Sequence, residues 1–441
     1  MSNKPKRRSD KFWERFFDDY NLENHFQYLN TFYVSTDDIK SYGEEPRLVS
    51  KFDHKNNLPY IFNQYNLGIL PNSRKGYVIG KFDLYEKLNY KFSNNDIKIV
   101  TIPYYIKSLR AGNLTSEAIS LHAIVVSNIL QDFIGEEIVQ TISGRMSSKN
   151  IDFNLNTIYG SVINFSVQGS QVEIDGGYEG VSNLALIEAK QHDASDFLVR
   201  QLYYPYRVYF DKGLGKHIRN IYMTFSNDIF TLYEFDFINP YEFNSIQLVK
   251  KQQYMIDFEK ITMNDIIHVF KNVKFVKEHK LGECPYPQAD TFSRIIDLLS
   301  VLYEKDLSFD AVTTRYDFDP RQTDYYKNSA KYLGLVDEYK ENNIKYFTLT
   351  AKGIDVIESE PKYKYLKIVE SIFSHKPFYD TFELHLKTNK NNLMNVNLDK
   401  INVAKLIEKH FKGYSESTYI RRARTTLSWM EWIVELTKKV Q

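Results

Sequence analysis

Residues 173–190 read EIDGGYEGVSNLALIEAK. Asp175, Glu188 and Lys190 stand in a stretch otherwise patterned as two short apolar strands. Side chains alternate faces along a strand. Glu188 and Lys190 therefore project to the side of Leu184 and Leu186, and Ile187 and Ala189 to the other. On the preceding strand Glu173 and Asp175 oppose Val172 and Ile174, and Gly176 with Gly177 is expected to bend the chain so that the two strands lie side by side. Asp175 would then approach Glu188 and Lys190 at one edge. Two carboxylates can hold a hard divalent cation, typically magnesium with several waters retained. Such an ion stabilises charge on a phosphate and lowers the pKa of bound water. A lysine beside it orients the attacking water or offsets developing charge. The chemistry that suits this constellation is phosphodiester hydrolysis. The plain alternative is an exposed cross-strand cluster of ion pairs.

The spacing Asp-x12-Glu-x-Lys resembles the PD-(D/E)xK nuclease superfamily, and within it the chain resembles a type II restriction endonuclease. The resemblance is carried by IDGGYEG, IEAK and DFLVRQLYYPYR, then by the PYPQAD linker leading into a winged-helix pattern, and it covers 115–440. Ile174 stands where the superfamily often has proline. The resemblance implies that Asp175 and Glu188 bind the metal and that Lys190 is catalytic. It matches Glu117 to an acidic residue that many members carry on the helix before the sheet. Gln201 and Tyr206 in RQLYYPYRVY resemble a glutamine–tyrosine signature placed beside the metal, with a spacing one residue longer and Pro205 intervening. It further implies Mg2+, with Mn2+ as a possible substitute, and cleavage of double-stranded DNA to 5′-phosphates. A homodimer and a cognate DNA methyltransferase in the same system are implied as well. Two other classes stay open: a structure-specific repair or recombination nuclease, and a winged-helix transcription regulator whose nuclease core is inactive.

The elements expected to position these residues fall into zones. Residues 1–110 read as an N-terminal α+β region for DNA recognition or dimerisation. Residues 9–33 look helical, with Phe12, Trp13, Phe16 and Phe17 on one stripe, and 67–88 look like strands about a turn. Residues 111–280 read as the endonuclease core. A helix capped by Thr115 or Ser116 carries Glu117 in its first turn. Strands follow at 136–145, 158–167, 171–179 and 184–190, then a helix over 194–210 and strands at 218–226 and 230–238. Helix and strand in this order predict an α/β, overall α+β, fold with a mixed sheet. After the GECPYPQAD linker, 288–360 show helix, helix, helix, hairpin, helix, a winged-helix pattern. Asp290 and Asp319 are the expected caps there, Gly334 the expected stop, and Glu341–Asn343 the hairpin tip. Residues 361–441 read as mostly helical, with Ser417 capping the last helix and Trp429 and Trp432 facing the core.

Arginine and glutamine read base edges in the major groove. Arg321, Gln322, Thr323 and Lys327 on the third winged helix are therefore expected to contact DNA, with Tyr325 and Tyr326 beside them. Arg421, Arg422 and Arg424 are expected to form a phosphate clamp, and Arg145 and Lys149, which flank serines in the polar stretch SGRMSSKN, are expected to contact DNA phosphates or bases. The alternatives are a winged unit that only packs the protein together or dimerises it, a solvated face for the arginine cluster and an ordinary surface loop for SGRMSSKN.

The chain has 441 residues, enough for two to four domains, with 43% hydrophobic and 15% aromatic residues to bury. Its 57 basic and 56 acidic residues nearly cancel, so any basic surface must be local. Cys284 is the single cysteine, which excludes an internal disulfide and a cysteine-rich zinc site and fits a cytoplasmic location. The ten histidines form no metal-binding or nucleophilic grouping, and no phosphate-cradling glycine motif calls for a nucleotide cofactor. KPKRR near the start is read as a solvated tip, neither signal peptide nor anchor, and no run of about 18 apolar residues predicts a membrane span.

Overall fold

A seven-stranded mixed sheet carries the acidic hairpin. In space its strands follow the order Ile97–Val100, Ile246–Ile256, Ile229–Phe237, His217–Ser226, Asn183–Lys190, Gln171–Glu179, Val139–Ser147. The computed structural model describes residues 7–88, 97–109, 114–257, 259–280, 282–315, 320–389 and 392–438. Asn183–Lys190 pairs antiparallel with Gln171–Glu179 and parallel with His217–Ser226. Parallel neighbours need a crossover, and the helix Arg200–Phe210 supplies it. Asn183–Lys190 is consequently buried on both faces. Leu184 and Leu186 join Leu202 and Tyr203 beneath the crossover helix. Ala185, Ile187 and Ala189 pack on the opposite face with Ile124 and Phe133, from the helices Glu117–Val126 and Ile129–Ile134. Each fully buried leucine or isoleucine contributes on the order of 2 kcal/mol. The charged end of the hairpin is thus anchored by apolar residues on both sides.

The two glycines do not make the bend. Gln171–Glu179 runs straight through them, with Gly176 opposite Ile187 and Gly177 opposite Leu186, and the chain reverses between Gly180 and Asn183. What the glycines provide is space. A Cβ on Gly176 would meet the Tyr178 ring at 2.7 Å, and one on Gly177 would meet Ile142 Cβ at 2.6 Å. The strand expected at 136–145 is the edge strand Val139–Ser147, which extends into SGRMSSKN and is irregular in register at Gly144. Strands at Asn150–Asn156 and Ile246–Ile256 were not anticipated; the first pairs with Val162–Gln168. In the 194–210 segment, Asp196–Leu198 is strand and the helix begins at Arg200.

The N-terminal segment is two helices where one was expected. Arg8–Asp19 and Leu22–Tyr28 are parted by Asn21 at φ 50°, and Thr31–Ser35 is a strand paired with Gly76–Gly80. Phe12, Trp13, Phe16 and Phe17 do share one core with Phe62 and Ile79. Arg7 of KPKRR is buried, paired with Asp10 and donating to the carbonyls of Asn57 and Leu58, so the described end of that stretch is built into the fold; Lys4, Pro5 and Lys6 lie outside the described residues. The unit is stitched to the central sheet region by Tyr85–Lys87, which pairs with Asp196–Leu198. The His54 ring adds to this seam: Nδ1 bonds the Asp196 carbonyl at 2.7 Å and Nε2 lies 3.4 Å from His192 Nε2.

After the linker the order is helix Ser293–Glu304, strand Leu307–Ser308, helices Phe309–Arg315 and Pro320–Tyr332, hairpin Val336–Glu341 with Ile344–Leu349, and helix Ala351–Ile357. The three strands form one small sheet, which is the element order of a winged helix. Gly334 ends the third helix at φ 72°, and Asn342 and Asn343 at positive φ make the hairpin tip. Asp290 is not a cap: Phe292 holds that position, while Asp290 accepts from Thr425 and pairs with Arg424. The Asp319 cap lies outside the described residues. The last long helix starts at Glu416 after Ser415, two residues before the expected cap at Ser417. Trp429 and Trp432 are in the core as expected, and that core is continuous from Ile261 through the winged unit to Leu436. The helix Met263–Asn272 thus packs with the C-terminal unit and not with the sheet. Asp228, at the turn between two central strands, binds Lys364 at 2.8 Å and the Tyr365 hydroxyl at 2.6 Å, fastening that unit to the sheet.

Candidate functional site

Glu117, Asp175, Glu188, Lys190 and Gln201 line a single cleft of about 510 Å³. Each arrives by a different local device. Ser116 Oγ accepts from the Ile119 N–H and caps the helix that presents Glu117 in its first turn. Asp175 lies where the Gln171–Glu179 strand leaves its ladder with Asn183–Lys190, and its Oδ2 accepts from the Ala189 N–H at 2.9 Å. Glu188 and Lys190 end the buried strand on one face, and Gln201 stands in the first turn of the crossover helix. The Gln191 amide, next to Lys190, donates to Ser120 Oγ at 2.6 Å and ties the Glu117 helix to this strand.

Glu188 is the hub. Its Oε1 accepts from Lys190 Nζ and from Gln201 Nε2, each at 2.5 Å. Burial, then the Asp175 charge, push Glu188 up to about 7. Burial also raises Asp175, against the pull of Lys190. Burial works against the Lys190 charge, yet Glu188 and then Glu117 hold its ammonium well above the ordinary lysine value. The cluster therefore keeps its ammonium and leaves a carboxylate that takes up a proton readily.

Among the described residues no group of three or more His, Cys, Asp and Glu side chains is arranged to hold a metal ion. The donor set still suits magnesium. Four carboxylates line the cleft, Glu117, Asp175 and Glu188 among them, and Gln201 Oε1 is buried without a hydrogen-bond partner. These are hard oxygen donors. Asp175, Glu188 and Glu117 are the residues that would hold the ion, and Lys190 would have to release Glu188 Oε1 in part.

Tyr206 does not join Gln201. It packs on Phe237 and Phe210, buried on another side of the crossover helix. Tyr204 lines the cleft in its place and donates to the Pro71 carbonyl at 3.0 Å. Arg145 is in the cleft, exposed and paired with Glu173 at 3.1 Å. The other expected DNA contacts lie elsewhere. Thr323 is fully buried, its hydroxyl bonded to Thr313. Lys327 is buried and paired with Asp324 and Glu338. Neither is presented to a groove: Thr323 is turned onto the preceding helix and Lys327 onto the winged hairpin. Arg321 is exposed and Gln322 half-buried. Arg422 is buried over the Tyr414 ring, whereas Arg421 and Arg424 are exposed. The cleft also contains residues that composition did not single out: Arg47, Lys51 and Arg74 from the N-terminal unit, and Arg200. Arg200 alone carried a signal, since it directly precedes Gln201.

Three family models match the chain, each described as a domain of unknown function: DUF6996 over residues 10–79, DUF6997 over 80–255 and DUF7226 over 294–438. The second holds all five of the acidic-cleft residues named first, and the third spans the winged unit with the helices after it. Neither the curated proteins nor the solved structures yield a match.

Proposed function

We propose that this chain is a magnesium-dependent DNA endonuclease of the type II restriction class, built on a PD-(D/E)xK core. The observation that carries the reading is the convergence of Glu117, Asp175, Glu188, Lys190 and Gln201 on one cleft, from two helices and two strands. When bound, magnesium supplies charge stabilisation on the phosphate and a more acidic water. Asp175 and Glu188 hold the ion, with Glu117 as the third carboxylate. Gln201 fixes the Glu188 carboxylate through its amide hydrogen bond. Lys190 stays an ammonium, so it cannot take the proton of the attacking water; it donates hydrogen bonds, orienting the water and offsetting charge on the phosphate. Water adds to phosphorus, the bond from phosphorus to the 3′ oxygen breaks, and that oxygen leaves with the electron pair and gains a proton. The products are a 5′-phosphate and a 3′-hydroxyl.

The homodimer, the partner methyltransferase, manganese as a substitute metal and the cytoplasmic location follow from the resemblance and belong to this proposal. Among the described residues no helix is long and apolar enough to cross a membrane. Digestion of plasmid and phage DNA with magnesium tests the reading. Discrete, reproducible fragments are expected. Cutting only at junctions or flaps would favour a repair nuclease. Asp175→Ala and Lys190→Ala are each expected to lower cleavage by about 10²–10³-fold while retaining DNA binding. A chain that regulates transcription through its winged helix would be indifferent to both.

A further inference from the structure

We infer that the N-terminal unit forms the second wall of a DNA-binding cleft, with Arg47, Lys51 and Arg74 holding the phosphate backbone over the acidic residues. The identity of the polyanion rests on the nuclease reading; the wall itself does not. Arg47 comes from the short helix Pro46–Ser50, Lys51 follows it, and Arg74 lies in the turn before the strand Gly76–Gly80. All three line the same cleft as Asp175 and Glu188.

Charge argues for a phosphate-bearing partner. The chain as a whole is nearly neutral, with 57 basic and 56 acidic residues. The cleft is not: six lysines and arginines line it against four aspartates and glutamates. Arg47 and Arg74 are exposed, and among the described residues neither has a carboxylate within ion-pair distance, whereas Lys51 is paired with Asp53 at 3.3 Å. On the winged unit the opposite holds, since Lys327, Lys331 and Lys345 are all paired with Glu338. Basic side chains left unneutralised around buried carboxylates make sense when a polyanion completes them. Arg200 adds an independent sign: its Nε is buried without an acceptor, and its guanidinium lies over the Tyr204 ring at 5.6 Å.

The wall is fixed in place. The Leu198 N–H donates to the Asp53 carbonyl at 2.9 Å, and the Tyr204 hydroxyl donates to the Pro71 carbonyl. The crossover helix that carries Arg200 and Gln201 is thereby tied to the segments that carry Lys51 and Arg74. A strand of DNA lying between them would be held from both sides.

The test uses the full chain in EDTA, so that binding is read without cleavage, and a fluorescent mixed-sequence DNA duplex across a salt series. The double variant Arg47→Ala/Arg74→Ala is compared with the parent. Each phosphate contact contributes about 0.9 to the slope of log affinity against log salt, so the slope should shrink by about 2 and low-salt affinity fall at least about ten-fold. Both side chains are exposed, so the thermal midpoint should be unchanged, and it reports whether the fold is intact. An unchanged slope and affinity in a folded double variant overturn the assignment. If the parent cuts DNA while the double variant binds as the parent does, the wall fails and the nuclease reading survives. If the parent binds duplex through these arginines but never cuts, the nuclease reading fails and the wall stands. A parent without salt-dependent binding overturns both.

Discussion

At the scale of single residues, Glu188 has the most to explain, because two donors and two charges meet on it. Its carboxyl titrates near 7 in the folded chain against an ordinary 4.5. Between those values the folded chain holds a proton that the unfolded chain has lost. The contribution of Glu188 to stability therefore falls as pH rises from 4.5 to 7 and stays low above it. In EDTA the wild type is expected to lose stability relative to Glu188→Gln over that window, by on the order of 3 kcal/mol, read from denaturant melts at each pH. A difference that does not vary with pH would remove the carboxyl as its source. Gln201 supports the same group from outside. Gln201→Leu keeps the helix but removes the amide donor, and should cost about 10–100-fold in magnesium affinity or activity. Magnesium titration at fixed DNA would show it, and an unchanged titration would leave Gln201 a packing residue. Asp175, Glu188 and Lys190 were legible in the sequence because alternation places ionisable groups where a buried strand has no use for them. Tyr206 was misassigned, since five residues along a helix turn a side chain well away from its starting face. Thr323, Lys327 and Arg422 were misread for another reason: residue type says nothing of whether a neighbouring helix, hairpin or ring covers the side chain.

At the scale of elements, the acidic hairpin depends on its glycines for closeness, not for turning. A Cβ at Gly177 would stand 2.6 Å from Ile142 Cβ on the edge strand. Gly177→Ala is expected to destabilise the chain by about 1–3 kcal/mol and to lower activity by shifting Asp175. Thermal unfolding gives the first effect, and a wild-type midpoint would contradict it. The strands Asn183–Lys190, His217–Ser226 and Ile229–Phe237 were readable from their apolar runs. Ile246–Ile256 was missed because QLVKKQQY is polar and half-exposed along most of its length, and it is a strand only through its pairing with the preceding strand Ile229–Phe237. Asn150–Asn156 alternates cleanly, but its partner is needed to see that the asparagines face outward. The break at Asn21 was hidden too, since asparagine tolerates a left-handed backbone where most residues do not.

At the scale of the whole molecule, the C-terminal unit is held to the central sheet by a buried ion pair. Lys364→Ala leaves Asp228 buried with the Tyr365 hydroxyl alone. A loss of about 3–5 kcal/mol is expected, visible as an earlier thermal transition, and a change under about 1 kcal/mol would mean the pair is solvent-screened. The linker prolines mark one break, before the C-terminal unit, yet the seams between units were not legible. They are made by side chains that look unremarkable one by one. The three residues after Lys190 show this best. Gln191 reaches the Glu117 helix, His192 meets His54 of the N-terminal unit, and Asp193 lines a cavity with Asp290 and Glu431 of the C-terminal unit. Three segments that match separate family models thus converge on one tripeptide beside the acidic site. Recombination between relatives that exchanged one segment would set a foreign surface against residues 191–193, and those residues cannot suit an old partner and a new one at once. The segments should therefore be inherited as a set, and chimaeras that trade an N-terminal unit should work only when residues around 54 and 192 travel together.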